Sequence, residues 1–160
     1  MRFHLVDKIL ELTPGTRIVT VKNLTLGEEY LADHFPSFPV LPGVLMLEAL
    51  VQSAAWLVRA SSDFAHSIIV LREAKGIKYG SFLEPGQQMK MTAETTGIDP
   101  AAEQITFKCQ AEREGTSVVN GRIVLARYNL VSRNPAFAAT DLQLLQGYRA
   151  EFARLWPGQS

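Results

Sequence analysis

Residues 32–60 read ADHFPSFPVLPGVLMLEALVQSAAWLVRA, and within the apolar stretch 44–58 a single charge, Glu48, interrupts a pattern otherwise suited to a buried helix. A carboxylate is rarely buried without a partner or a task, because the ionised form loses its hydration. The stretch therefore predicts both a core helix and a candidate site. Ahead of the helix, His34 precedes three prolines, Pro36, Pro39 and Pro42, which stiffen the loop. Pro42 and Gly43 suit a helix start, where backbone N–H groups lack intrahelical acceptors and can receive a developing oxyanion.

The chain has 160 residues, 47% hydrophobic and 20% charged, which is enough to bury one soluble core without metals or disulfides. Sixteen basic and sixteen acidic residues cancel, so the composition carries no global field to draw nucleic acid or an anionic membrane. The only cysteine, Cys109, excludes an intramolecular disulfide, and no Cys/His spacing suggests zinc. His4 and His66 show no ligand spacing with His34, so no metal is expected. MRFHLVDKILELTPG is a poor secretory signal. The run 44–58 is short for a bilayer crossing and is interrupted by Glu48, Gln52 and Ser53. Cytoplasm, with no membrane span, is the expectation.

Around the opening stretch, Val6, Ile9, Leu10 and Leu12 recur at near-helical spacing and predict a short amphipathic helix ended by Pro14 and Gly15. TRIVTVKNLT alternates as a strand, HSIIVLREAKGIKYGSFL carries a strand or two, and QMKMTAETTGI, QITFKCQAERE and SVVNGRIVLARYNL complete a set joined by polar turns. Long alternating strands with one apolar helix predict an α+β fold, an antiparallel sheet wrapped around that helix. Beyond residue 128, RNP breaks the pattern. TDLQLLQGYRAEFARLW then predicts an extra C-terminal helix with a stripe of Leu142, Leu145, Tyr148, Phe152 and Leu155, capped by Thr140 or Asp141. Packing on the domain or a neighbouring subunit is favoured over a lid.

On residue types alone, His34 is a candidate base and Glu48 a candidate acid whose pKa burial would raise. Together with an oxyanion hole they would support proton abstraction beside a carbonyl with loss of a β-hydroxyl. A lone His and a lone Glu are more often structural.

The order of residues adds to this. HFPSFPVLPGVLMLEALVQ resembles the active-site segment of the β-hydroxyacyl-[acyl carrier protein] dehydratases of dissociated fatty-acid synthesis, whose pattern is roughly G-H-F-P-G-x-P-x-x-P-G-V-L-x-x-E-A-x-x-Q. The His-to-Glu spacing of 48 − 34 = 14 is that of the family. LVDKILELTPG, IVTVKNLTLGEEYLADHFP and IKYGSFLEPGQQMKM extend the resemblance to about residues 5–128. It implies the hotdog fold over residues 1–128, with 129–160 as an extension. It further implies dehydration to a trans-2-enoyl thioester, with His34 as base and Glu48 protonating or positioning the departing hydroxyl. Gly43 would give its N–H to the thioester carbonyl. Pro42, Val44, Gln52, Tyr79 and Phe82 would contact substrate, with Gln52 open to a purely structural role. In such dimers the His of one chain meets the Glu of the other, so a homodimer is implied, commonly built into a hexamer. No metal or organic cofactor is implied, the substrate being carried on the phosphopantetheine of acyl carrier protein. Arg72, Lys75 and Lys78 form a candidate patch for that acidic partner, or are ordinary solvated charges.

Two positions depart from the pattern: Asp33 stands where Gly is usual before the His, and Ser37 replaces the Gly after HFP. Two alternatives follow. One is a hotdog thioesterase, in which a carboxylate activates water at the carbonyl. The other is an acyl-thioester binding protein without turnover.

Overall fold

The alternating strand sequences leave one apolar face each, and a single helix is available to cover it. The computed structural model describes residues 3–157 and has six strands in one antiparallel sheet. They are β1 (Lys8–Thr13), β2 (Arg17–Asn23), β3 (Ile68–Tyr79), β4 (Gln88–Glu94), β5 (Gln104–Arg113) and β6 (Thr116–Tyr128), in the order β1-β2-β4-β5-β6-β3. The helices are α1 (Tyr30–Asp33), α2 (Gly43–Ser61) and α3 (Ala138–Leu155). The outer limits of the spans read from the sequence, residues 1–2 and 158–160, lie outside the described residues.

The sheet curls around α2, whose Ala49, Leu50, Ala54, Leu57 and Val58 are fully enclosed. On β5, Ile105, Phe107, Cys109 and Ala111 point to the helix and their neighbours to solvent, as alternation predicts. Burial pushes the Cys109 thiol up to about 12, so it packs as a small hydrophobe. One polar bond joins the layers: the Thr20 and Ser53 hydroxyls lie 2.6 Å apart in the core. By length and composition α2 could cross a membrane, more so than the run 44–58 alone suggested, but here it is the core helix and is mostly buried.

The N-terminal helix expected from Val6, Ile9, Leu10 and Leu12 is instead strand β1, paired with β2. A register shift between Ile9 and Glu11 changes the inside–outside phase, so Ile9 and Leu12 both turn toward the core while Leu10 is exposed. A bulged strand thus imitates helical spacing. The Pro14–Gly15 stop is the hairpin turn: Thr16 N–H donates to the Thr13 carbonyl at 3.1 Å, and Gly15 has φ 81°. The stretch read as a strand or two is the single long strand β3. It pairs on one side only, with β6, and register shifts interrupt that pairing.

The C-terminal helix packs on the same domain. Tyr148 and Phe152 meet Trp56 with ring centroids 6.1 and 6.0 Å apart, and Phe152 meets Phe64 at 5.5 Å. Leu155 is buried, but Leu142 is exposed and off the stripe. Its place is taken by Asp141, one residue earlier in the same row as Leu145 and Tyr148. Neither Thr140 nor Asp141 caps the helix, since the N-cap position is Phe137. Asp141 is buried and accepts from the Ser67 hydroxyl and from the N–H groups of Leu130 and Val131 at 3.0 and 2.8 Å.

Burial alone would push the Asp141 carboxyl up; the hydrogen bonds from Ser67, Val131 and Leu130 outweigh it and hold it below the usual carboxylate range. A carboxyl depressed by folding stabilises the fold above its unfolded pKa, and that contribution is lost as pH falls through the folded value. The wild type should therefore melt several degrees above Asp141→Asn at neutral pH. The gap should close as pH drops below about 4. Parallel melting curves of the two proteins from pH 7 to pH 3 are the check, and a constant gap would remove Asp141 as the acid-sensitive fastening.

Candidate active site

His34 follows α1 directly, in extended conformation (φ −123°, ψ 111°), and Phe35 then turns the chain with φ 48°. A bulky residue in the left-handed region is strained and needs surrounding structure to hold it there. Two anchors do so. Phe38 N–H donates to the Phe35 carbonyl at 2.8 Å, closing the turn, and Leu41 N–H donates to the Leu83 carbonyl at 2.9 Å. The His34 ring lies against Phe35, centroids 4.3 Å apart. Asp33 and Ser37 are exposed and make no side-chain hydrogen bond or ion pair among the described residues, so neither departure crowds the His34 ring.

Pro42 is the N-cap residue of α2, and no side chain caps the helix. Gly43 opens it and lines a cavity of about 280 Å³ together with His34, Met46, Tyr79, Gly80 and Phe82. The Tyr79 ring packs so closely on Gly43 that a Cβ there would lie 3.1 Å from it. Gly80 is more strictly constrained, because a Cβ would come within 2.5 Å of the Ser117 carbonyl oxygen. One wall of the cavity thus depends on two glycines. Around its mouth Phe35, Phe38, Tyr79 and Phe82 are all about half exposed, and Phe38 meets Phe82 edge-on at 5.5 Å. Pro42 and Val44 do not line this cavity; Val44 is 73% exposed.

Glu48 lies elsewhere. It is half-buried rather than enclosed, and it lines a second cavity of about 230 Å³ between α2, the N-terminal segment and α3. The sequence reading of full burial is corrected here. The helix turns Glu48 away from the sheet because Ala49 and Leu50 take the inward positions. Gln52, one turn on, fixes the carboxylate: its Nε2–H donates to Glu48 Oε1 at 3.0 Å and to the Phe3 carbonyl at 3.0 Å. Its Oε1 accepts from Leu5 N–H at 3.0 Å. With every arm of the amide engaged, Gln52 is a positioning residue for Glu48. The sequence had the residue but not these backbone partners, which come from the N-terminal segment more than forty residues away.

The tertiary structure brings His34, Gly43, Tyr79 and Phe82 together and sets Glu48 and Gln52 apart from them. It also divides the basic patch. Arg72 lines a separate depression with Tyr128 and Arg133. Lys75 and Lys78 join Lys108 and Arg122, residues missed by the sequence reading, around a depression of about 600 Å³ on the outer face of the sheet. The register pairs Lys108 with Arg122 and Arg122 with Lys75, a row of like charges across three strands that only pairing of β5, β6 and β3 reveals.

A sheet closed around one helix that carries a carboxylate, with a histidine held at that helix's start, is the arrangement of hotdog-fold enzymes of acyl thioesters. The comparisons agree. Residues 11–122 match the ApeI-like family, described as ApeI dehydratase. The 3-hydroxyacyl-[acyl-carrier-protein] dehydratase FabZ of Ruminiclostridium cellulolyticum is 38% identical over 128 residues, 78% of this chain and 86% of the relative. That of Lactiplantibacillus plantarum is 37% identical over 106 residues, 66% and 71% of the two chains. For Polynucleobacter asymbioticus the identity is 42% over 91 residues, 57% of this chain and 61% of the relative's length. Among solved structures, the dehydratase heterocomplex ApeI:P from Xenorhabdus doucetiae superposes with a TM-score of 0.63 at 15% identity, covering 79% of this chain and 84% of that one. The fluoroacetyl-CoA thioesterase FlK superposes with a TM-score of 0.59 at 16% identity, covering 79% and 95%. At such identities the superpositions establish the fold. The chain belongs to the ApeI-like dehydratase family and, by that membership, is a hydro-lyase.

Proposed function

We propose that two copies of this chain dehydrate β-hydroxyacyl thioesters of acyl carrier protein to trans-2-enoyl thioesters, in fatty-acid or related lipid or polyketide synthesis in the cytoplasm. The observation that supports this reading best is the separation of His34 and Glu48 into different cavities of one chain. Each chain then holds two half-sites. The long strand β3 has an unpaired edge and exposes Val70 and Leu71, a surface suited to pairing with a second copy. The apolar rings around the His34 cavity are half exposed in the single chain, and a neighbouring subunit would cover them.

In the assembled site His34 removes a proton from C2 of the substrate. The electron pair released forms the C2–C3 double bond, and the C3–O bond breaks. Glu48 of the second copy delivers a proton to the departing hydroxyl, which leaves as water. Gly43 N–H, at the uncapped start of α2, receives the negative charge that develops on the thioester oxygen. Tyr79 and Phe82 border the acyl chain. Side chains and one backbone N–H suffice, so no metal or organic cofactor enters the reading; the phosphopantetheine arm belongs to the substrate. The carrier docks on Lys75, Lys78, Lys108 and Arg122. Lys75 pairs with Glu73 at 3.1 Å, while Lys78, Lys108 and Arg122 have no ion pair among the described residues and can meet an acidic surface.

Hydration of a short enoyl thioester, the reverse reaction, tests the assignment. Loss of the conjugated enoyl absorbance without release of free thiol is the expected result. Thiol release in its place would make the chain a thioesterase, and binding with neither change would overturn catalysis altogether.

A further inference from the structure

The cavity that Glu48 borders ends at a buried cation. Arg59 lies three turns farther along α2, is only 7% exposed and lines the same cavity. Its guanidinium carbon sits 3.9 Å from the ring centroid of Tyr148 on α3 and 5.1 Å from that of Trp56. The two rings stand nearly perpendicular to each other, at 83°, and flank the guanidinium on adjoining sides. The Nε of Arg59 has no hydrogen-bond partner among the described residues. The other polar groups of the cavity are engaged: Glu48 by Gln52, Gln52 by the backbone of Phe3 and Leu5, and Glu151 by His4 at 3.1 Å, while the Tyr148 hydroxyl and Glu151 both favour the charged guanidinium and leave its Nε unmet. A buried arginine with an idle donor is costly unless a ligand completes it.

We infer that Arg59, flanked by Trp56 and Tyr148, is a specificity-determining residue that receives an oxygen acceptor at the far end of the acyl chain, a terminal hydroxyl or carboxylate. The inference rests on the proposed reaction at Glu48, since that fixes where the reacting carbon lies. From residue 48 to residue 59 the helix rises about 16 Å, which sets an upper bound on the length of chain between the reacting carbon and the guanidinium. Guanidinium donors bind an ionised or neutral oxygen edge-on, and a methyl end would leave the donor as it stands in the empty protein. The C-terminal extension acquires a role here. By supplying Tyr148 it closes the channel and holds the arginine in place.

Three 3-hydroxyacyl thioesters of equal length, ending in methyl, hydroxyl or carboxyl, are compared by kcat/KM with the wild type, Arg59→Lys and Arg59→Met. At least one oxygen-ended substrate should exceed the methyl-ended one by tenfold or more with the wild type, and which of the two gains more identifies the acceptor. The ratio should fall near one in Arg59→Met and stay partly intact in Arg59→Lys. A wild type that handles the methyl-ended chain as well as both others overturns the inference without reference to any variant. The same chains as unreactive pantetheine thioethers are titrated by calorimetry in parallel. Selective binding of the oxygen-ended thioethers without turnover would refute the dehydratase reading and uphold Arg59, whereas turnover without selectivity would do the reverse.

Discussion

Co-expressed His34→Ala and Glu48→Gln chains should recover about a quarter of wild-type turnover, half of randomly paired dimers being mixed and each mixed dimer having one of its two sites intact. Alone, each variant should lose about two to four orders of magnitude in kcat, the range associated with removing a general acid or base. The expectation follows from the placement of His34 and Glu48 around different cavities of one chain. In the proposed dimer a second copy brings one to the other. Differently tagged chains, purified through both tags so that only mixed dimers are assayed, give the measurement directly. Mixed dimers as inactive as their parents would place both residues of a working site on the same chain and refute the shared arrangement. Gln52→Ala belongs to the same experiment as a graded control. It removes a hydrogen bond to Glu48 but leaves the carboxylate, so activity should fall by less than in Glu48→Gln.

Trp56→Ala should lower stability by about 3–5 kcal/mol, the usual range for emptying a buried aromatic site. Trp56 is 4% exposed and is the only side chain of α2 whose ring meets both Tyr148 and Phe152 of α3. Its loss leaves a void under α3 and removes one of the two rings that flank Arg59. Urea unfolding gives the free energy, and limited proteolysis reports on α3, which should become cleavable before the sheet does. A midpoint within about 1 kcal/mol of wild type would mean that the site collapses freely and that α3 does not depend on this contact. Should α3 stay protected despite a large loss, the Asp141 fastening to Ser67, Leu130 and Val131 would be the stronger anchor.

The sheet was legible wherever strands alternate cleanly. On β5 every second residue from Ile105 to Ala111 is buried, and the period of two needs no tertiary information. It failed at β1 because a bulge places Ile9 and Leu12 on the same side three residues apart, a spacing shared with helices. In α3 the hydrophobic stripe misled at its first position. Asp141 occupies a core-facing site because three donors await it there, and two of them belong to a turn ten residues upstream that no periodicity announces.

For the site, the division is sharper. The motif from His34 to Gln52 was readable because its chemistry is local: prolines fix the loop, Gly43 starts the helix, and one carboxylate interrupts an apolar run. Those residue types in that order determine the fold class and the family by themselves. Which side chains share a cavity is set by the folding of distant segments against α2. Tertiary structure alone decided that the face of α2 bearing Glu48, Gln52 and Arg59 meets the N-terminal segment and α3 rather than His34, that Lys108 and Arg122 complete the row begun by Lys75, and that the C-terminal helix closes the Glu48 cavity through Tyr148. The reason is geometric. A helix repeats every 3.6 residues and a strand every two, so sequence spacing sorts residues onto faces, but the partner each face meets depends on register and packing between elements far apart in the chain.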